Sequence, residues 1–476
     1  MSTFSDDDFE ILYPGALLDR ERPLVEKYLA ANRAILERGE IDPRALVAGT
    51  LPTDTPGLLP VVPVAEDMVR YNNAKYDPEN PFGCDAEYAR GCGYKDILAM
   101  PCFGAHDDSF MAPWPFDARD TLRVSQLCHS VTTHLPVHPG DTLFMVANRR
   151  TVTDLTPPSG SIFRSVVLRT EGSVYNQRCE KVNDCSFSVM ESMRIFKEGR
   201  KPSDFGPGDV WDAPEWIKRP SHYYTDEDWD RIIGIWAAER RRGAEPLEWE
   251  DVNVGDEPTW TADGPIDDTV MPTAPFGQGT GGTRTLRNEI MDPEKRRLLV
   301  RSEADGIYRT VNRDDYRPVV PENPGNAVAI PTFEGDGAID TRDIHKLAPG
   351  ARAPLINFYG RDIAVRHINN WMGDGGFIRN LRWGIMPAST MAEYGKPVPV
   401  DPTAIRFLEP VPHLGGRDAD THGLTRDLAL VKSYVYDKYV RDGEFLVELS
   451  FWVEAVTGEI WLVGGATVQL PSRRAS

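Results

Sequence analysis

The sequence predicts an α+β protein in which a helical segment followed by antiparallel strands occurs twice. Two observations carry this reading. Apolar residues switch from helical spacing to alternation near Val124, and alternation returns toward the C-terminal end. Turn residues then divide each alternating stretch into hairpins. Helices first and strands second, repeated, is a repeat of plan and favours α+β over a doubly wound sheet.

Along the first half, a helix is expected over about Leu18 to Arg38, then a Pro/Gly-rich stretch from Leu51 to Pro63. A second helix begins near Val64, with the sequence VAEDMVRYNN. YDPENPFGCDAEYARGCGY follows, with turn residues in front and a short helix around Ala86 to Arg90. A Pro/Gly-rich aromatic stretch runs from Pro101 to Pro115. From Val124, HSVTTHLPVHPGDTLFMVANRRTVTDL is β-branched and alternating, with a turn at His138 to Asp141. SIFRSVVLRTEGSVYNQRCEKVNDCSFSVMESMRIF continues as long strands, with a turn expected near Glu171 and Gly172.

Residues 201–245 read as a linker between halves at 1–200 and 246–476. Its TDEDWDRIIGIWAAERRRG is a helix, opened by Thr225 with Asp228 in the manner of a capping box. Trp229, Ile232, Ile233 and Trp236 fall at helical spacing. Arg240 to Arg242 suit the negative end of the helix dipole, and Gly243 suits its cap. The second half holds an irregular region, about 262–350, then NFYGRDIAVRHINNWMGDGGF, whose middle reads as a helix; in the purely structural reading of Asp362 that residue is the N-cap of a helix running from Ile363 to Met372 and ending at Gly373. Strands close the chain, with hairpin turns at Arg441-Asp442-Gly443 and Thr457-Gly458.

The 476 residues are too many for one ordinary domain. With 41% hydrophobic and 26% charged residues, the composition is that of a globular protein with a buried core. No run reaches the roughly 18 apolar residues of a membrane span, and MSTFSDDDFE lacks the basic and apolar regions of a signal peptide. A cytoplasmic protein without membrane contact is expected. A formal charge of −20 argues against a nucleic-acid partner. An anionic ligand needs a local basic patch. The runs Asp6 to Asp8 and Asp226 to Asp228 read as solvated ends. Six cysteines, all in the first half and with no CxxC pair, read as free thiols; neither a metal nor a cofactor is expected.

Two stretches of the first half resemble the MaoC-like hydratase pattern. DPENPFGCDAEYARGCGY is similar to an acid-x-Asn-Pro-x-His-x-Asp loop followed by Glu-Tyr-Ala-Arg, and HLPVHPGDTL is similar to Pro-x-x-Pro-Gly-Asp-Thr-Leu. The connector AERRRGAEPLEWEDVNVGDE and the stretch RHINNWMGDGGF resemble fused dehydratases of this group. Together these cover roughly 60–200 and 225–470. The resemblance implies a double hotdog, in which each half wraps an antiparallel sheet around a central helix and the active site lies between the halves. It further implies a hydro-lyase that adds or removes water on an acyl thioester, with a coenzyme A ester as the expected substrate and a homo-oligomer as the expected assembly.

That chemistry needs a base for the water, an acid at the α-carbon and donors for the thioester oxygen. The resemblance implies an Asp and a His five residues apart. In the first half Asp77 is shifted by one residue and Gly83 stands where the His belongs, so Asn80, Pro81 and Asp85 read as architectural. In the second half Asp362 and His367 are five apart. On a helix Ala364, His367, Asn370 and Trp371 share a face, with Asp374 just beyond the end. Asp362, His367 and Asp374 are the expected catalytic residues; Asp77, Asn80, His106, Asn370 and Trp371 are the expected substrate contacts. His106 stands beside an Asp, which can tune an imidazole. Each has a purely structural alternative: a helix cap, a satisfied core histidine, an exposed loop. Trp371 and Trp383 read as pocket or core. Gly277 to Thr283, GQGTGGT, lacks Gly-Lys-Ser/Thr and reads as a loop. A thioester hydrolase and a non-catalytic acyl-binding protein are the competing functions.

Overall fold

The computed structural model of the chain describes residues 6–104, 119–154, 156–200, 219–266, 284–310, 338–339, 352, 355, 357–384 and 419–474. Its helices are α1 (Arg22–Glu37), α2 (Pro43–Val47), α3 (Glu66–Tyr76), α4 (Ala86–Gly91), α5 (Asp226–Ala238), α6 (Arg284–Met291), α7 (Pro293–Arg296) and α8 (Asn357–Met372). The first-half strands are β1 (Val62–Pro63), β2 (Arg119–Thr133), β3 (Thr142–Asp154), β4 (Phe163–Tyr175) and β5 (Lys181–Ile195). The second half has β6 (Thr261–Asp263), β7 (Leu299–Arg301), β8 (Tyr308–Thr310), β9 (Ala338–Ile339), β10 (Phe377–Gly384), β11 (Ala429–Arg441), β12 (Glu444–Glu454) and β13 (Ile460–Gln469).

The sheet order is β1-β3-β4-β5-β2-β10-β13-β12-β11-β6, with β9 alongside β2. Read inward from either edge, each half gives one order: first, third, fourth, fifth, second. In the second half β6 is the first strand and β10 the second. The halves meet through their second strands, β2 and β10, where Trp383 faces His129 and Leu381 faces Val131. This is the double hotdog, an α+β fold: one long, mainly antiparallel sheet whose second-half strands β6 and β10 to β13 pack on α8.

Alternation explains the layers. Ala429 and Val431 on β11 belong to the main core, which also takes Ile363, Ala364, Val365 and Ile368 of α8. Leu428 and Leu430 face the other way and pack on Tyr224, Trp229, Ile232 and Trp236, so α5 covers the outer face. Likewise Val167 points into the main core while Val166 and Leu168 meet Val25 of α1. α8 lies close on the sheet because residue 360 is glycine: a Cβ there would sit 2.5 Å from Leu462 Cδ1.

Thr225 and Asp228 form the expected capping box on α5. The tight hairpin at Asp442-Gly443 has positive φ at both residues, as a two-residue turn requires. Three expectations are corrected. The turn placed at Glu171 and Gly172 is the interior of β4; the chain reverses at Asn176 to Glu180, where Asn176 Oδ1 accepts from the Arg178 and Glu180 amides. α5 ends at Ala238, so Arg240 to Arg242 lie beyond it and serve as side-chain ties. α8 begins at Asn357, so Asp362 sits inside the helix and not at its cap. Among the described residues Cys84 and Cys92 are exposed free thiols, and Cys102 and Cys185 are buried ones. No described helix is long and apolar enough to cross a membrane.

Candidate active site between the halves

A cavity of about 90 Å³ lies between the halves. One wall is the stripe Asp362, Val365, Asn369 and Met372 of α8, residues that a 3.6-residue period places on one side. The facing wall comes from the first half: Asn73 of α3, the loop from Asp77 to Gly83, Thr133 of β2 and Asn183 of β5. Phe82, Leu98, Met100 and Phe103 make much of the rest apolar. A concave, mostly apolar site with a few convergent polar groups is what small-molecule pockets look like.

Asp362 is 1% exposed. Its Oδ1 accepts from Arg361 Nε at 2.6 Å, and its Oδ2 is buried with no hydrogen-bond donor among the described residues. Arg361 in turn stands 5.5 Å from the Trp383 ring, which stacks on His129 at 5.0 Å across the seam between the halves. The orientation of the carboxylate is therefore tied to the junction of β2 and β10. Asp77 is also buried and accepts from Asn369 Nδ2 at 3.2 Å, which joins the first-half loop to α8. Asn80 Oδ1 accepts from the Phe82 amide at 3.1 Å and opens the short helical turn that follows, while Asp85 caps α4 through the amides of Glu87 and Tyr88. Asn80 and Asp85 thus shape the loop, and Asn80 also lines the cavity.

Gly83 has a specific steric cause. A Cβ there would lie 2.1 Å from Asn73 Cγ, so the Asn73 side chain occupies the space into which residue 83 would project. Asn73 is fixed by its own bond, Nδ2 to the Asn80 carbonyl at 3.1 Å. Cys102 lines the cavity, but burial pushes its thiol up to about 12, so it is not a thiolate nucleophile. Tyr94 also borders the cavity, and burial raises its pKa, so it keeps its hydroxyl proton as a donor.

His367 does not reach this site. Five positions from Asp362 is about 140° around a helix, so the pair cannot share a face. His367 is buried on the sheet side, between Thr261 Oγ1 at 3.0 Å and Ser433 Oγ at 2.7 Å. Burial, with Arg366 adjacent, lowers its pKa to about 3, which keeps it neutral. The face expected to line the pocket does not: Ala364 and His367 lie toward the sheet, Trp371 packs against the main core, and Asn370 reaches the linker. Asn370 Nδ2 donates to Glu239 at 3.0 Å, and the Trp371 carbonyl accepts from Arg242 Nε at 2.9 Å. Asp374 forms an ion pair with Arg241 and accepts from the Tyr88 hydroxyl. It braces α8 against α4 and the linker and is not on the cavity wall. Trp383 is core. His106 and Gly277 to Thr283 lie outside the described residues.

The residues not anticipated are the carboxamides: Asn73, Asn183 and Asn369. Asn183 carries a readable signal. It shares the inward parity of Cys185 and Phe187 on β5, and a carboxamide in an inward apolar series asks for a partner.

No family model and no curated protein matches the sequence. Among solved structures the chain is similar to a MaoC-like dehydratase, with 12% identity over 87% of this chain and 95% of that one, at a TM-score of 0.43. A Mycobacterium tuberculosis protein with a double hotdog fold covers 87% of this chain and 94% of its own, with 11% identity and a TM-score of 0.41. A MaoC-like dehydratase from Phytophthora capsici covers 88% and 97%, with 9% identity and a TM-score of 0.31.

Proposed function

We propose that the protein is a hydro-lyase that adds water to, or removes it from, an acyl thioester, with a coenzyme A ester as the substrate. The observation that carries this reading is Asp362: a carboxylate inside a mostly apolar cavity, oriented by Arg361 through one oxygen and with the other oxygen free to take a proton. In the hydration direction, Asp362 Oδ2 removes a proton from water as the water oxygen bonds to the β-carbon. The electron pair of the double bond moves toward the thioester, and the α-carbon takes a proton from Asp77, the second carboxyl group of the cavity wall. Transfer of a proton from Asp362 to Asp77 through solvent restores the starting state. The two carboxyl groups thus work with one proton between them.

A second reading has its own support. No described histidine lines the cavity, since Gly83 stands at one expected position and His367 is in the core. A protein that binds an acyl ligand without turning it over would fit that lining.

The test is turnover of a panel of aliphatic and aromatic enoyl-CoA thioesters, followed by mass, with Asp362→Asn, Asp77→Asn and His367→Gln. The expected result is a gain of one water by the unsubstituted protein, reduced about 10²- to 10⁴-fold in Asp362→Asn and retained in His367→Gln. Release of free coenzyme A would replace this reading with a hydrolase. Binding without turnover would replace it with the acyl-binding protein.

A further inference from the structure

Two residues that line the cavity from opposite halves each hold a buried acceptor oxygen to which no described protein group donates. One is Asp362 Oδ2 on α8. The other is Asn183 Oδ1 on β5, whose side chain is 1% exposed. The orientation of the Asn183 carboxamide is set by chemistry: its Nδ2 donates to the Phe103 carbonyl at 3.1 Å, which only the amide nitrogen can do. The oxygen is left as the end available to a ligand. One segment borders both: Phe103 receives the Asn183 amide on its carbonyl, and Cys102 and Phe103 line the same cavity as Asp362 and Asn183.

A buried acceptor without a donor costs free energy, and two in one cavity call for a group that brings two hydrogens. Water is the smallest such group. We infer that Asn183 Oδ1 is the second acceptor for the reacting water, which is held with one hydrogen on Asp362 Oδ2 and the other on Asn183 Oδ1. This rests on the hydro-lyase reading. The hydrogens account for themselves. As the water oxygen bonds to the β-carbon, the hydrogen on Asp362 passes to the carboxylate as a proton. The hydrogen on Asn183 stays on oxygen and becomes that of the product hydroxyl, still donated to the carboxamide. In dehydration the same bond orients the departing hydroxyl so that its oxygen faces the protonated Asp362. Asn183 therefore acts as a positioning residue that fixes which lone pair meets the β-carbon.

The experiment has two readouts on the full chain. The first is a high-resolution crystal structure of the free protein and of Asn183→Leu, a substitution of similar volume without the acceptor. An ordered water within hydrogen-bond distance of both oxygens, lost in the variant, is the expected result. The second is steady-state hydration of an enoyl thioester that the unsubstituted protein turns over. Asn183→Leu should lower kcat about 10- to 100-fold, with KM changed by less than about threefold, because in this arrangement the carboxamide holds the water and not the acyl chain. A water bound to Asp362 alone in the unsubstituted protein overturns the inference even if the variant fails to fold, as does an unchanged kcat in a folded variant. A bridging water without turnover of any thioester would remove the hydro-lyase reading and leave the two-acceptor site. Turnover without the bridge would do the reverse.

Discussion

Replacing Gly83 with alanine places one methyl group where Asn73 already stands. The new Cβ would lie 2.1 Å from Asn73 Cγ, 2.3 Å from its Oδ1 and 2.4 Å from its Cβ. The first two atoms can swing away, but only by giving up the bond from Asn73 Nδ2 to the Asn80 carbonyl, a loss of about 1 kcal/mol. The position of the Asn73 Cβ is fixed by the α3 backbone and it cannot turn aside, so α3 and the Asp77–Gly83 loop must separate. Overpacking of this kind costs about 1–3 kcal/mol, which gives a total of roughly 2–4 kcal/mol. The same distances predict the pattern of rescue. Asn73→Ala removes Cγ and Oδ1 but leaves the 2.4 Å contact, so it relieves only part of the strain. Asn73→Gly removes all of it, at about 1 kcal/mol of its own for glycine within a helix. Urea denaturation followed by tryptophan fluorescence on the single and double variants forms a cycle. Gly83→Ala with Asn73→Gly should show a favourable coupling of at least about 1 kcal/mol. A Gly83→Ala variant as stable as the parent, or single effects that simply add, would refute the claim that Asn73 fills this space.

Two further perturbations bear on the frame around the site. His129, His367 and His422 are buried with pKa values lowered to about 3, while an unfolded imidazole titrates near 6.5. Their contribution to stability is complete above about pH 6.5 and is lost as pH falls toward 3, because the unfolded chain binds protons that the folded one excludes. The loss approaches about 1.4 kcal/mol per pH unit for each residue. Urea midpoints between about pH 7.5 and 5.5 should fall, less steeply in His367→Gln; equal slopes would show that His367 is not excluded from water. Arg366 is fully buried and pairs with Asp263 at 2.6 Å and Glu239 at 3.2 Å, joining α8 to β6 and the linker. Arg366→Met removes the buried cation that Asp263 and Glu239 share, while Glu239 keeps Asn370 and Arg287, and should destabilise by about 3–5 kcal/mol, with Asp263→Asn restoring part of it; an unperturbed denaturation midpoint would contradict the role.

What could be read from the sequence followed from local rules. The Thr225–Asp228 capping box, the Asp442-Gly443 hairpin and the two rounds of helix and strands depend on neighbours in the chain, and each is present. The Glu171–Gly172 turn failed because glycine within a strand looks the same as glycine in a turn. Only the pairing of Gly172 with Ala147 and Cys185 distinguishes them. Asp362 and Asp77, expected as a catalytic residue and a substrate contact, both line the cavity, but their hydrogen-bond partners were not legible. The five-residue spacing of Asp362 and His367 suits a loop, whereas the helix that carries both turns them onto different faces. Asn183, Asn73 and Asp77 come together with Asn369 only when β5, α3 and α8 close on one another, which no local pattern encodes.

The most direct test of the hydro-lyase account is oxygen tracing. An enoyl thioester would be incubated with the protein in water enriched in oxygen-18, and the thioester and any free acid would be resolved by mass. The account predicts that the heavy oxygen enters the intact thioester as a β-hydroxyl group, and that Asp362→Asn slows this about 10²- to 10⁴-fold while remaining folded. Heavy oxygen found only in a released carboxylic acid, or incorporation at an unchanged rate in Asp362→Asn, would contradict it.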